Sequence, residues 1–204
     1  MKAFRPGNIL KFEGPSRLRP RLIIVCAPSG AGKSTLCARL VQEYQEIIEN
    51  VSFTTRPPRG KEEDGVDYFF IDEEEFMEKK ARDFFVESAQ VHNHWYGVSS
   101  DQIETALGTG RPIILDIDVQ GAHTLTQKFK EALTIFVMPP SIEELRRRLA
   151  LRDQGKTNNF ELRIENAKKE ILEADRFKYR VINNNLEQAY GEFKNIVEKE
   201  LGNS

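Results

Sequence analysis

LIIVCAPSGAGKST, running from Leu22 to Thr35, carries two signals back to back. Leu22–Ala27 is a continuous apolar run, the pattern of a strand buried on both faces. A glycine-containing turn follows, then a helical stretch from Lys33 to about Tyr44. Strand, tight turn and helix start together form the setting that a phosphate loop requires, unlike an ordinary strand–turn–helix corner. Gly30 and Gly32 let the backbone curl so that successive N–H groups converge on one phosphate. The helix start adds its dipole and its unpaired N–H groups. Lys33 supplies a positive charge for the β- and γ-phosphates of a nucleotide, and the Ser34 hydroxyl can join a Mg²⁺ shell. Ala27, Pro28, Ser29, Gly30, Ala31, Gly32, Lys33, Ser34 and Thr35 are thus the candidate nucleotide cradle. Ala27 stands where the first glycine of G-x-x-x-x-G-K-[ST] is usual, and alanine is tolerated at the end of a strand.

Further along, Ile113–Asp118 (IILDID) is a second apolar strand ending in acids, Thr134–Met138 (TIFVM) a third, and Arg180–Ile182 a short fourth. Helical patterns lie between and after them. Ser141 with Glu144 has capping-box spacing before LRRRLALR, and Phe160–Phe177 and Leu186–Leu201 are amphipathic. Strands alternating with helices predict an α/β fold, a parallel sheet with helices on both faces. The stretch from Val51 to about Tyr96 is polar, turn-rich and acidic, and reads as an insertion over the ligand-bearing edge of that sheet.

The 204 residues suit one domain, and 30 basic against 32 acidic side chains give no sign of a chain-wide nucleic-acid binder. No apolar run approaches the roughly 18 residues that span a membrane. Residues 1–21 hold six basic groups and one acid, so 24 basic and 31 acidic residues remain beyond them. Residues 1–20 read as a flexible basic leader, with a targeting role left open. Cys26 and Cys37 neither make a disulfide framework nor match zinc spacing, which fits a cytoplasmic setting. His92, His94 and His123 read as solvated or hydrogen-bonded rather than as metal ligands.

An acceptor site is suggested by VSFTTRPPR, Val51–Arg59, where Arg56 and Arg59 flank two prolines that hold the backbone extended. Two guanidinium groups on a stiff turn suit a dianionic phosphate, and Tyr68 and Tyr96 can add neutral donors. Asp116 and Asp118, two apart, are expected on one face of the second strand at its carboxyl end, where ligands bind. Asp116 can support a Mg²⁺ shell. Arg148 and Arg152, four apart on one helix, suggest an anion between them.

From about Arg21 to the C-terminus the sequence resembles the guanylate kinase family, which moves a phosphoryl group from ATP to GMP. APSGAGKST, SFTTRPPR, DGVDYFF, the WYG at Trp95–Gly97, ILDIDVQG and the PPS at Pro139–Ser141 carry the resemblance, in the family's order. It implies a P-loop NTPase-type core (21–50 and 98–204), a mixed GMP-binding insertion (about 51–97) and a helical lid (about 141–165). It implies that Arg56, Arg59, Tyr68 and Tyr96 hold the GMP phosphate, and that Ser52, Glu87 and Asp118 face the guanine. Arg148, Arg152 and Arg163 would close over the transferring group beside Lys33, with 153–159 (DQGKTNN) as the lid loop. ATP and GMP, and dGMP as acceptor, are the implied substrates, with Mg²⁺ as cofactor and no nucleic-acid or membrane partner; monomer and homo-oligomer both stay open.

Two positions depart from the family pattern. Val98 stands where a serine or threonine hydroxyl usually lies near the guanine, with Ser99 the expected substitute, and Ser88 stands where tryptophan is common. A related scaffold domain that binds phosphopeptides would keep the anion clamp and lose the phosphate loop, which is intact here. A kinase for another phosphorylated acceptor is opposed by Glu87, Asp118 and Ser52.

Overall fold

Burial along the whole of Leu22–Cys26 reflects its place at the centre of a five-stranded parallel sheet, with a strand on each side. The computed structural model describes residues 16–91, 93–153 and 160–202, with 152 and 153 described by backbone only. The chain opens with β1 (Leu22–Cys26), α1 (Lys33–Glu43) and β2 (Ile48–Glu49). It continues through β3 (Phe53–Thr54), β4 (Phe69–Phe70), α2 (Glu73–Ala81), β5 (Phe85–Val91) and β6 (His94–Ser99). Then come α3 (Ser100–Gly108), β7 (Ile113–Asp116), α4 (Val119–Lys128), β8 (Leu133–Met138), α5 (Ile142–Asp153), α6 (Phe160–Leu172), β9 (Tyr179–Ile182) and α7 (Leu186–Leu201).

The first sheet has the order β2-β7-β1-β8-β9, all parallel. Alternation along β1 divides its side chains between two cores. Ile23 and Val25 pack with Leu36 and Leu40 of α1 and Phe193 and Val197 of α7. Leu22, Ile24 and Cys26 pack on the other face with Ile103 of α3 and Leu125 of α4. Helices therefore cover both faces, as the alternating pattern predicts. Leu18 is buried in the first core, and Arg19 N–H donates to the Leu201 carbonyl, so residues 16–20 at the end of the basic leader lie against the domain.

A second sheet, ordered β4-β3-β6-β5, is mixed: β3 runs parallel to β4, and β6 antiparallel to both β3 and β5. Aromatic rings fill one side, with Phe53 stacked on Phe69 at 4.6 Å and Phe76 of α2 stacked on Phe85 at 4.5 Å. A small third cluster of Leu145, Leu149, Ile164 and Ala167 joins α5 to α6.

Two details differ from the sequence reading, and a third expectation is not reached by the described residues. The second strand ends at Asp116, and Asp118 caps α4 instead of continuing the strand: its side chain accepts from the N–H groups of Gln120 and Gly121. Asp118 itself keeps an extended backbone, but its side chain ties down the first free N–H groups of the helix, so the chain turns into α4 instead of lengthening the strand. The expected helix over 160–177 ends at Leu172 and gives way to a 3-10 turn, Glu173–Arg176. Residues 154–159 of the expected lid loop lie outside the described residues.

Candidate active site

The glycine turn after β1 adopts the conformation that its sequence needs. Gly30 and Gly32 have φ of 89° and 95°, and Gly32 is the N-cap of α1. A side chain at Gly32 would also collide with Asn183, whose amide donates to the Ala31 carbonyl at 2.8 Å. Asn183, at the end of β9, thus holds the loop from a place remote in sequence. The run Asn183–Asn185 shows in the sequence without hinting at this role.

Lys33 Nζ lies 2.5 Å from Asp116 Oδ1 and 2.8 Å from the Ile117 carbonyl. Burial acts to lower the Lys33 pKa, but the adjoining Asp116 carboxylate outweighs it and holds the ammonium above its ordinary value. Ser34 Oγ donates to Asp116 Oδ2 at 2.7 Å. Lysine, hydroxyl and carboxylate therefore form one connected unit at the ends of neighbouring strands, aligned by the Val25↔Asp116 register.

A cleft of about 430 Å³ runs from this loop to the second sheet. Along with Ala27, Pro28, Ser29, Gly30, Gly32, Lys33, Ser34 and Thr35, its walls include Ser52, Tyr68, Glu87, Tyr96, Val98, Asp116, Asp118, Arg148 and Glu170. The wall of the second sheet is built by strand register. Glu87 pairs with Val98, and the Phe53↔Gly97 pairing brings Ser52 opposite Val98, so these three residues form a row. Tyr96, two residues before Val98, shares its face. Ser99 falls on the opposite face and is absent from the cleft walls, so the structure does not bring it to the place that its position in the sequence suggested.

Glu87 is only 6% exposed, and Gly121 at the start of α4 makes room for it: a Cβ there would lie 2.9 Å from its carboxyl carbon. Burial, with the Asp118 carboxylate adding to it, pushes the Glu87 pKa up to about 8. Glu170 of α6, which the sequence reading did not single out, lines the same cleft; burial raises its pKa to about 7 against the opposing pull of Lys33.

Arg56 is buried and forked by Glu62, with Nη1 and Nη2 2.9 and 3.0 Å from its two oxygens. Its guanidinium lies 5.3 Å from the centre of the Tyr68 ring, which in turn lies 6.0 Å from the Tyr96 ring. Glu62 also accepts from the Arg59 backbone N–H at 2.7 Å, while the Arg59 side chain is exposed. Glu62 is a further residue that sequence reasoning missed, since it sits in a run of acids in a polar loop.

Arg148 donates to Glu144 and to the Asn183 carbonyl, both at 2.8 Å. Arg163 reaches across to Ser29 Oγ at 2.9 Å, joining α6 to the phosphate loop. Arg152 lies in α5, and its side chain is outside the described residues.

A parallel sheet with a glycine loop after its central strand, a lysine at the following helix start and an acid on the neighbouring strand end define a P-loop α/β protein. A family model described as guanylate kinase matches residues 19–200, and the chain belongs to that family. A guanylate kinase of Bdellovibrio bacteriovorus is 48% identical over 181 residues, covering 89% of this chain and 98% of that protein. One of Thermotoga maritima is 42% identical over 183 residues, covering 90% and 88%. A crystal structure of guanylate kinase from Anaplasma phagocytophilum superposes with a TM-score of 0.73 at 31% identity, covering 90% of this chain and 87% of that one.

Proposed function

We propose that this chain, as a guanylate kinase, phosphorylates GMP to GDP with ATP as donor, using the residues of the cleft described above. The observation that carries the assignment is the meeting of the Lys33–Asp116–Ser34 unit with the Ser52–Val98–Glu87 row in one cleft. Phosphoryl transfer needs positioning and charge neutralisation rather than a nucleophilic side chain. The N–H groups of 27–35 and the Lys33 ammonium hold the β- and γ-phosphates of ATP. Ser34 and Asp116 offer a hydroxyl and a carboxylate 2.7 Å apart, a hard-oxygen pair that suits Mg²⁺. When bound there, that ion would neutralise charge on the phosphates.

On the acceptor side, Glu62 fixes the Arg56 guanidinium, and Arg59 is the exposed arm that swings onto the GMP phosphate with Tyr68 and Tyr96. The Glu87 carboxylate accepts from guanine N1–H and the 2-amino group. Adenine lacks that donor pair, and leaving such a carboxylate unpaired costs several kcal/mol. Asp118, with one oxygen committed to capping α4, acts beside it. GMP and dGMP are both acceptors in this reading. Arg148, Arg152 and Arg163 close over the transferred group and exclude water, which suppresses hydrolysis of ATP. We read 21–50 with 98–204 as the core, 51–97 as the GMP-binding insertion and 141–165 as the lid.

A coupled assay of ADP formation with GMP, AMP, CMP and UMP tests the assignment. Turnover with GMP far above the other three is expected, and AMP turnover equal to that with GMP would overturn the base assignment.

A further inference from the structure

Asn50 lies just before Ser52, outside both sheets and outside every role assigned so far. Its Nδ2 donates to Ser52 Oγ at 2.9 Å. Its Oδ1 is the single buried side-chain polar atom among the described residues with no hydrogen-bond partner. A half-satisfied carboxamide is a poor structural device, because the unpaired half keeps its full desolvation cost. The local backbone does not depend on it either. Asn50 N–H donates to the Ile114 carbonyl, the Gln102 side chain bonds both the N–H and the carbonyl of Val51, and the Ser52 carbonyl accepts from Phe69 N–H. The one bond made by the Asn50 side chain thus goes to a hydroxyl on the cleft wall.

A serine oxygen that accepts from an amide has no need to donate back to it, so its own proton is free to point elsewhere. In the row Ser52–Val98–Glu87 the middle residue offers no hydroxyl, and Ser99 faces away. Ser52 is then the one hydroxyl in this row available to a base seated against Glu87.

We propose that Asn50 is a positioning residue for base recognition: its amide engages Ser52 Oγ and leaves the Ser52 proton to be donated to the 6-oxygen of the purine. This rests on the guanine-site reading of Ser52 and Glu87. The 6-oxygen of guanine accepts such a proton, whereas the 6-amino group of adenine presents hydrogens to it. The pair therefore reads the 6-position of the base while Glu87 reads the adjoining N1–H and 2-amino group.

Steady-state kinetics of Asn50→Leu, Ser52→Ala and the double variant test the inference. Asn50→Leu keeps the volume and removes the amide. It should raise KM for GMP about five- to tenfold, the size of one hydrogen bond, with kcat and KM for ATP within about twofold of the parent. Its thermal midpoint should not fall, since an unpaired buried acceptor is removed. In the Ser52→Ala background the same substitution should add nothing. IMP, which keeps the 6-oxygen and lacks the 2-amino group, should be weakened by the same factor as GMP. An unchanged KM for GMP in Asn50→Leu, an equal rise in the Ser52→Ala background, or a changed IMP-to-GMP ratio would each overturn the inference. Absence of GMP turnover in the parent chain would instead overturn the function on which it rests. Should Asn50→Leu not fold, Asn50→Ala carries the same comparisons.

Discussion

Glu87 shows how one residue's environment sets a measurable property of the whole site. Its pKa of about 8 in the free protein, against an ordinary value of 4.5, means that the carboxyl holds its proton near neutrality. In the proposed site guanine needs the ionised form, so GMP binding would favour proton release. kcat/KM for GMP should therefore climb as pH rises towards 8 and level off above it, while Glu87→Gln should give a low, flat profile. The same shift carries a stability consequence of known sign. A group whose folded pKa is raised stabilises the fold in its protonated form, fully below the unfolded value and progressively less as pH rises through the folded one. Ligand-free protein should thus melt at a lower temperature at pH 9 than at pH 6, and Glu87→Gln should remove part of that difference. Val98 makes the complementary case. It stands between Ser52 and Glu87, so Val98→Ser should lower KM for GMP about fivefold through one added hydrogen bond, at a cost of roughly 1 kcal/mol in lost apolar burial. An unchanged KM would mean that a hydroxyl at this position does not reach the base. Asp118 is where the sequence misled: the acid is visible in ILDID, but whether it extends a strand or caps a helix depends on the N–H groups of Gln120 and Gly121.

Among the elements, the strand–turn–helix of residues 22–43 was the most legible, because its apolar run, its glycines and its lysine are contiguous. Its clamp was not legible. Asn183 arrives from β9 and bonds the Ala31 carbonyl, and the sequence gives no measure of that approach. Gly32→Ala tests the clamp and the turn together, since the new methyl would lie 2.2 Å from Asn183 Nδ2 at a φ of 95°. Strain of about 1–3 kcal/mol is expected, seen as a lower thermal midpoint together with a raised KM for ATP. A variant that melted and bound ATP like the parent would show that the turn has another low-energy form. The two-residue strands β2, β3 and β4 were hidden for a different reason. They are too short for any periodicity, and their pairing partners alone define them. The arginines of α5 were visible as a basic run, but not the way Arg148 is tied to Glu144 and to Asn183.

At the scale of the molecule, the two ends of the domain are stitched together. Leu18 is 3% exposed, it pairs with Gly202 in an antiparallel bridge, and Arg19 bonds the Leu201 carbonyl. Leu18→Ala should cost about 2–4 kcal/mol, read as a lower denaturant midpoint with KM for GMP and ATP unchanged. A loss confined to activity would contradict this structural role. The near-neutral total of 30 basic and 32 acidic groups conceals arginines gathered at the two places proposed as phosphate sites, in a body that otherwise runs acidic. By itself the sequence determined the phosphate loop, the alternation of strands and helices and the family, because each rests on residue types at fixed short spacings that bonded geometry carries directly into space. Only the tertiary structure decided that Ser52, Val98 and Glu87 form one row, that Ser99 turns away, that Glu62 forks Arg56 and that the Asn50 amide bonds Ser52 Oγ. Those relations depend on strand register and on close approach between segments distant along the chain, where a shift of one residue would send each side chain to the opposite face.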